Sequence, residues 1–332
     1  MSMKAYITAI ASYLPAKVEK NDPVTRLTKK TKIYERHIAG VEECASDLAF
    51  QAAEKLFADS GLRKGIDFVI LCTQSPDYFL PTTACILQNR LGLSNRCGAF
   101  DFNLGCSGYV YGLSIAKGLV ETRQASNVLL LTAETYSKFI HPEDGTVKPL
   151  FGDGATATLI SAKESQKDGI GAFSFGTNGS GAEYLIVPAG AAREPAISTP
   201  LIEKCDDGIN RRTNYNLSMN GSEITNFALE VVPQTVMDIL MCSGLDKSEI
   251  DYYIFHQANK FMLEFLQQKC DLQGLPFWNA PESCGNTVSS SIPLAITQML
   301  KGERPSKLEN VMLVGFGVGL SWSGCLVDLS YI

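Results

Sequence analysis

The chain has 332 residues, 45% of them hydrophobic, enough to bury a large core as one big domain or two of ordinary size. Charged residues make up 19% and the formal net charge is −6, so no global basic field exists to hold a phosphate backbone, and nucleic acid is not an expected partner. Ten cysteines occur without one C-x-x-C pair, and Cys72, Cys85, Cys242 and Cys325 fall in apolar segments, the pattern of reduced, buried thiols in a cytoplasmic protein.

In chain order, MSMKAYITAIASYLPAKVEK reads as a first strand, because Tyr6, Thr8, Ser12 and Tyr13 break its apolar stretch and it lacks a charged start followed by a clean hydrophobic region. SDLAFQAAEKLFADSGL (46–62) has apolar residues at helical spacing, with Ser46 as the N-cap and Gly61 as the stop. GIDFVILCTQSP (65–76) is a strand running into a polar turn. AFDFNL (99–104) is another strand, followed by a tight turn at Gly105 and a helix from Ser107, and SNVLLLTAE (126–134) is the next strand. FGDGATATLI (151–160) reads as a turn entering a strand, and residues 189–217 form a polar, Pro/Gly-rich surface excursion of the kind that serves an active site or a partner. GSEITNFALEVVPQTVMDILMCSGL (221–245) predicts a helix bent near Pro233 and ending at Gly244. No apolar run reaches the roughly 18 residues that cross a bilayer, so no membrane is expected and the sequons at Asn178, Asn216 and Asn220 carry no meaning.

The chain repeats itself. EIDYYIFHQANK (249–260) matches GIDFVILCTQSP; NTVSSSIPLAITQML (286–300) matches GCSGYVYGLSIAKGL (105–119); ENVMLVGFG (309–317) matches SNVLLLTAE. A repeat of half the chain predicts two fused α/β copies, residues 1–165 and 166–332, about a pseudo-twofold axis. Equivalent turns then converge, bringing Cys106, His256 and Asn286 near a shared centre.

Each of the three has a chemical and a structural reading. Cys106, set between a strand and a helix, places its sulfur where the helix dipole and free N–H groups stabilise a thiolate, as in a nucleophile elbow; otherwise it is a buried thiol. His256 directly follows YYIF, in a turn that Gln257, Ala258 and Asn259 make polar and exposed; otherwise it is a satisfied core histidine. Asn286 either caps the next helix or donates its amide to a carbonyl oxygen. His37 and His141 read as solvated loop residues. GFGVG (315–319) is followed by only thirteen residues, too few for a dinucleotide-binding βαβ unit.

Cys106, His256 and Asn286 in this order, with YERHIAG, SPDYFLPTTACILQNRLGL, DFNLGCSGYVYGL, LFGDGATATLI, FHQANK, GNTVSSSIPLA and GFGVGLSW, resemble β-ketoacyl-acyl-carrier-protein synthase III, a thiolase-superfamily condensing enzyme, over nearly the whole chain. The resemblance implies a thiolase-like five-layered αβαβα sandwich of two pseudo-repeated halves, usually a homodimer. It implies that Cys106 takes the acyl group from a thioester and that His256 and Asn286 stabilise the enolate formed when malonyl-acyl-carrier protein loses CO₂. Backbone N–H groups of Cys106 and Val318 would form the oxyanion hole. No metal or cofactor is implied; acyl-CoA or acyl-carrier-protein thioesters are the substrates and acyl carrier protein the partner.

The chain departs from the family pattern in ways that bear on the donor. The family's adenine-stacking tryptophan has no counterpart in NDPVTRLTKKTKIYERHI, Phe261 stands where an arginine is common, and Gly145 stands for another arginine. Arg36 and Phe261 are the expected substrate-binding residues of this region. Val318 replaces a frequent glycine, and a carrier-bound donor stands beside coenzyme A as the first substrate. Leu80, before the proline of PDYFLPTTA, is expected to come from the neighbouring protomer and border the acyl tunnel. A thiolase proper would need a second cysteine beside GFGVG, and hydroxymethylglutaryl-coenzyme A synthase a glutamate where Gln74 stands. The remaining alternatives are an acyltransferase that passes the acyl group to oxygen or nitrogen, and a silent subunit of a condensing heterodimer.

Overall fold

Successive residues of one strand feed opposite cores, which is what burial on both faces of a sheet demands. In the run Asn127–Glu134, Val128 and Leu130 enter one apolar cluster while Leu129 and Leu131 enter another. In Val311–Gly317 the pattern recurs, with Val311 and Leu313 on one side and Met312 and Val314 on the other. These two strands sit at the middle of two sheets.

The computed structural model describes residues 2–60, 63–206, 210–302 and 304–332. Up to residue 165 the elements are β1 (Ser2–Tyr13), β2 (Lys17–Lys20), α1 (Arg26–Thr31), β3 (Glu35–Ile38), α2 (Ala45–Ser60), β4 (Phe68–Cys72), α3 (Thr83–Arg90), β5 (Gly98–Phe102), α4 (Gly108–Glu121), β6 (Asn127–Glu134) and β7 (Gly154–Ser165). Then follow β8 (Ile170–Thr177), β9 (Leu185–Ile186), β10 (Glu203–Asp206), β11 (Asn210–Thr213), β12 (Ser218–Met219), α5 (Gly221–Ser243), β13 (Tyr252–Phe255), α6 (Lys260–Lys269), β14 (Phe277–Trp278), α7 (Ser291–Lys301), β15 (Val311–Gly317) and β16 (Ser321–Val327).

One sheet runs β1-β7-β6-β4-β5 and the other β8-β16-β15-β13-β14. In both, the first two pairings are antiparallel and the last two parallel. The strands matched by sequence similarity, β4 with β13 and β6 with β15, hold equivalent places. Helices α4 and α7 lie between the sheets in a shared core that includes Leu113, Ile292 and Ile296. Outside them, α2 and α3 cover the first sheet and α5 and α6 the second. The result is a five-layered αβαβα sandwich.

Local readings differ at several places. Ser46 lies inside α2, and it is Asp47 that reaches back to accept from Cys44 N–H at 2.8 Å. Gly61, its expected stop, lies outside the described residues. Helix α5 matches its reading, carrying Pro233 within it and ending at Gly244 with φ 70°. His37 sits half-buried in β3, with Nδ1 2.6 Å from Pro15 O, because ERHI pairs with β2 instead of looping. All ten cysteines are unpaired, and Cys85 and Cys242 are exposed because they fall on the outward faces of α3 and α5.

Candidate active site

Strand β5 delivers the chain to Cys106 through a turn that Gly108 N–H closes on Gly105 O at 2.8 Å. The start of α4 is tied to the second sheet: Ser107 Oγ meets Ser321 Oγ at 2.8 Å, and Ser323 Oγ donates to Ser107 O at 2.9 Å. The end of β15 then passes directly over the thiol. A Cβ on Gly317 would lie 2.8 Å from Cys106 Sγ, so only glycine fits there. Cys106 is buried, and the N–H groups of Cys106 itself and of Val318 donate toward Sγ.

Burial pushes the Cys106 thiol up to about 12, and the Glu134 carboxyl acts in the same direction. The two N–H donors pull the other way and do not prevail. This runs against the expectation of a thiolate at the helix start: desolvation outweighs the two N–H donors, which favours the protonated thiol before substrate binds.

His256 follows β13, and its N–H donates to Val314 O of β15 at 2.8 Å. The turn is not exposed as its polarity predicts. His256 and Gln257 are 2% and 3% exposed, because Gln257 spends its amide on the backbone, donating to Phe255 O at 2.7 Å and accepting from Ala280 N at 3.1 Å. Burial lowers the imidazole to about 3, so it is neutral. Its Nδ1 lies 2.6 Å from Ser291 Oγ, at the first residue of α7.

Asn286 bridges to Phe151, with Asn286 N donating to Leu150 O at 2.9 Å and Gly152 N donating to Asn286 O at 3.0 Å. This explains the glycine in FGDG: a Cβ on Gly152 would meet Cys284 O at 2.2 Å, a backbone atom that cannot step aside. The side-chain Oδ1 accepts from Val288 N at 2.8 Å, a turn bond two residues ahead; the capping reading is corrected, since Ser290 stands at the N-cap of α7, and Nδ2 is left as the donor of this side chain.

Cys106, His256 and Asn286 line one cavity of about 480 Å³, walled by apolar residues that include Leu185, Ile224, Met262 and Phe316. Lys30 and Arg212 are its cations, and no carboxylate is among the described lining residues. Phe261 lies on the wall, with Lys30 Nζ 4.4 Å above its ring. Arg36 does not line this cavity. Its buried guanidinium is held by Asn21 Oδ1 at 3.1 Å, Phe151 O at 3.4 Å and Glu19 at 3.2 Å, which makes it a structural tie and corrects its assignment as a substrate contact. Leu80 is absent from the lining; it is 84% exposed on a loop beside Tyr78 and Phe79.

Four residues escape sequence reasoning. Lys30 hides in the charge run KKTK, and Arg212 in the excursion of residues 189–217, whose length is the one signal pointing to it. Ser291 is one of a run of small hydroxyls. Glu134 ends an apolar strand, fully buried, accepting from Gln74 N at 3.1 Å, Ser75 Oγ at 3.0 Å and Ser289 Oγ at 2.6 Å. Burial raises its carboxyl to about 8 against those donors. Among the described residues no group of His, Cys, Asp and Glu could hold a metal ion, and no helix is long and apolar enough to cross a membrane.

A cysteine fixed at a strand-to-helix turn, facing a neutral histidine and an amide from the other half of a doubled α/β sandwich, defines an acyltransferase of the condensing type on the thiolase-like fold. The family model for 3-oxoacyl-[acyl-carrier-protein] synthase III matches residues 100–179, and that for its C-terminal part matches residues 240–329. The chain is 35% identical over 335 residues to the β-ketoacyl-[acyl-carrier-protein] synthase III of Caldanaerobacter subterraneus subsp. tengcongensis, covering 98% of both chains. It is 36% identical to the enzyme of that name from Clostridioides difficile, covering 98% of this chain and 99% of the relative. A crystal structure of a 3-oxoacyl-(acyl-carrier-protein) synthase III superposes with a TM-score of 0.95 at 49% identity, over 98% of this chain and 100% of that one. The chain belongs to the β-ketoacyl-acyl-carrier-protein synthase III family.

Proposed function

We propose that the protein forms a 3-oxoacyl thioester by decarboxylative Claisen condensation of an acyl-Cys106 intermediate with malonyl-acyl-carrier protein, in the cytoplasm, for fatty-acid or related acyl-chain synthesis. The observation that carries this reading is the meeting of Cys106, His256 and Asn286 on one cavity with no carboxylate among its described lining residues. A carboxylate there would repel both the malonyl group and the enolate.

In the first half-reaction the Cys106 sulfur attacks the acyl carbonyl. The carrier's C–S bond breaks, the thiol proton leaves with the carrier sulfur, and the N–H groups at Sγ hold the tetrahedral oxyanion. In the second, the bond to the malonyl carboxylate breaks and its electron pair moves into the enolate. Asn286 Nδ2 and His256 donate to that oxygen. The enolate carbon attacks acyl-Cys106, and the departing sulfur takes up a proton. Neutral imidazole suits this role, since it donates without carrying a charge that burial would penalise. Peptide mass spectrometry after exposure to acyl-CoA and acyl-carrier protein, with CO₂ release from malonyl-carrier protein, tests the scheme. An adduct on Cys106 without CO₂ release would favour transfer to oxygen or nitrogen; no adduct at all would mean a silent subunit.

We infer that the Ser291 hydroxyl, 2.6 Å from His256 Nδ1, donates to it, which leaves the ring hydrogen on Nε2. Ser291→Ala is expected to lower the decarboxylation rate about tenfold, roughly the 1.4 kcal/mol of one lost neutral hydrogen bond, with Ser291→Thr restoring most of it. A loss of acylation alone would contradict this role.

The exposed Leu80 fits a homodimer in which this residue enters the partner's tunnel. Leucine leaves more room than phenylalanine, so donors longer or more branched than acetyl are expected, each methylene adding roughly 0.8 kcal/mol of burial. Leu80→Phe should cut the rate with longer donors more than about tenfold while sparing acetyl. Equal loss with all donors would show that Leu80 does not gate chain length.

A further inference from the structure

Val288 is held in a conformation that its side chain disfavours. Its φ is 54°, in the left-handed region where a β-branched Cβ crowds the backbone. The residue lies two positions after Asn286, and its N–H donates to Asn286 Oδ1 at 2.8 Å. A relaxed Val288 would turn that N–H away and release the amide. Strain of this kind persists only where the surroundings hold it on both sides. Upstream, the backbone bridge to Phe151 fixes Asn286.

Downstream, the anchor is a group that the condensing mechanism leaves unused. Glu134, 0% exposed at the end of β6, accepts from Ser289 Oγ at 2.6 Å. The next residue, Ser290, has ties of its own, 2.9 Å to Thr132 Oγ1 and 3.1 Å to Gly154 O, which fix the start of α7 and leave Ser289 to Glu134. On its other side the same carboxyl accepts from Gln74 N and Ser75 Oγ. Gln74 packs on the turn that carries the nucleophile, since a Cβ on Gly105 would lie 2.6 Å from its Oε1, and that oxygen also accepts from Tyr136 OH at 2.5 Å. One carboxyl therefore joins the segment beside Cys106, from the first half, to the segment behind Asn286, from the second. A buried carboxyl destabilises a core unless donors compensate it. Here that burden adjoins a strained backbone, and both adjoin a reacting group.

We propose that Glu134 is a positioning residue for the condensing step: through Ser289 it holds Val288 in its left-handed conformation, and so aims Asn286 Nδ2 at the enolate oxygen. The inference rests on the decarboxylation proposed above and adds the group that sets its geometry. Glu134 is not among the described residues that line the cavity, so it acts through Asn286 and not on substrate.

The test begins with Ser289→Ala in the full-length protein, which removes the tie and leaves the carboxyl its other donors. CO₂ release from malonyl-carrier protein should fall about tenfold in kcat, the scale of one lost hydrogen bond, while KM and the acylation rate of Cys106 stay within about twofold. Glu134→Ala should lose at least as much, and Glu134→Gln, whose amide oxygen still accepts from Ser289, should restore most of the rate. Ser75→Ala takes a donor from the same carboxyl without touching the second half, and should leave CO₂ release within about twofold. In a Val288→Gly background, where glycine adopts positive φ without strain, Ser289→Ala should cost less than about threefold. A crystal structure of Ser289→Ala should show Val288 out of the left-handed region and the Asn286 amide displaced. An unmoved Val288 and Asn286 would overturn the proposal, as would equal losses of acylation and CO₂ release, or an effect of Ser75→Ala as large as that of Ser289→Ala. Absence of CO₂ release in the wild type would count against the condensing reaction itself, and the crystal structure would still judge what Glu134 holds.

Discussion

Cys106→Ala is expected to abolish acyl-enzyme formation, with condensation falling by roughly 10⁶-fold, the scale on which removal of a covalent nucleophile is felt. Only the sulfur is lost, and its neighbours are backbone held by Ser107, Ser321 and Ser323, so the fold should persist. An unfolding midpoint within about 4 °C of wild type, corresponding to roughly 1 kcal/mol, would confirm that chemistry alone has gone. Decarboxylation of malonyl-carrier protein should survive in part, since its donors are His256 and Asn286. A labelled adduct on another of the ten cysteines would refute the assignment.

The second large effect separates the half-reactions. His256→Ala and Asn286→Ala should each reduce decarboxylation by about 10²–10³-fold, the cost of deleting one donor to a developing oxyanion, while acylation of Cys106 falls far less. CO₂ release from malonyl-carrier protein and the rate of acyl-Cys106 formation, measured on the same variants, give the ratio. Equal loss of both in His256→Ala would make the imidazole the acceptor of the thiol proton. That outcome would be informative, because Cys106 rests near 12 and His256 near 3, a pair poorly matched for proton transfer before substrate arrives.

Much of the architecture was legible because it is written twice. The segments around β4 and β13, α4 and α7, and β6 and β15 match in sequence, and the structure gives them equivalent places in the two sheets. The convergence of Cys106, His256 and Asn286 follows from that duplication, since each stands after a matched strand or before a matched helix. What stayed hidden depends on partners distant in sequence. Arg36 looks like an anion ligand until Glu19 and Asn21 are seen to occupy it. The HQAN turn looks solvated until Gln257 is found bonded to its own backbone. Cys106 looks like a thiolate because the helix start is local and visible, whereas the burial that overrides it is the sum of the whole fold. Glu134 gives no sign in an apolar strand, because Ser75 and Ser289, which make it tolerable, lie 59 and 155 residues away.

The close passage of the Gly317 backbone over Cys106, which leaves no room for a Cβ, bears on the order of events. With the second half's backbone against one side of the thiol and the first half's helix behind it, the nucleophile has almost no conformations left to lose when substrate binds. The entropy of bringing reactants together has been largely settled on the protein's side during folding, and what remains belongs to the flexible acyl arm. Turnover therefore depends less on how readily the cysteine can reach than on how accurately the visiting carbonyl is placed. A looser arm, or one chemical bond too short, would arrive at a target that cannot lean toward it.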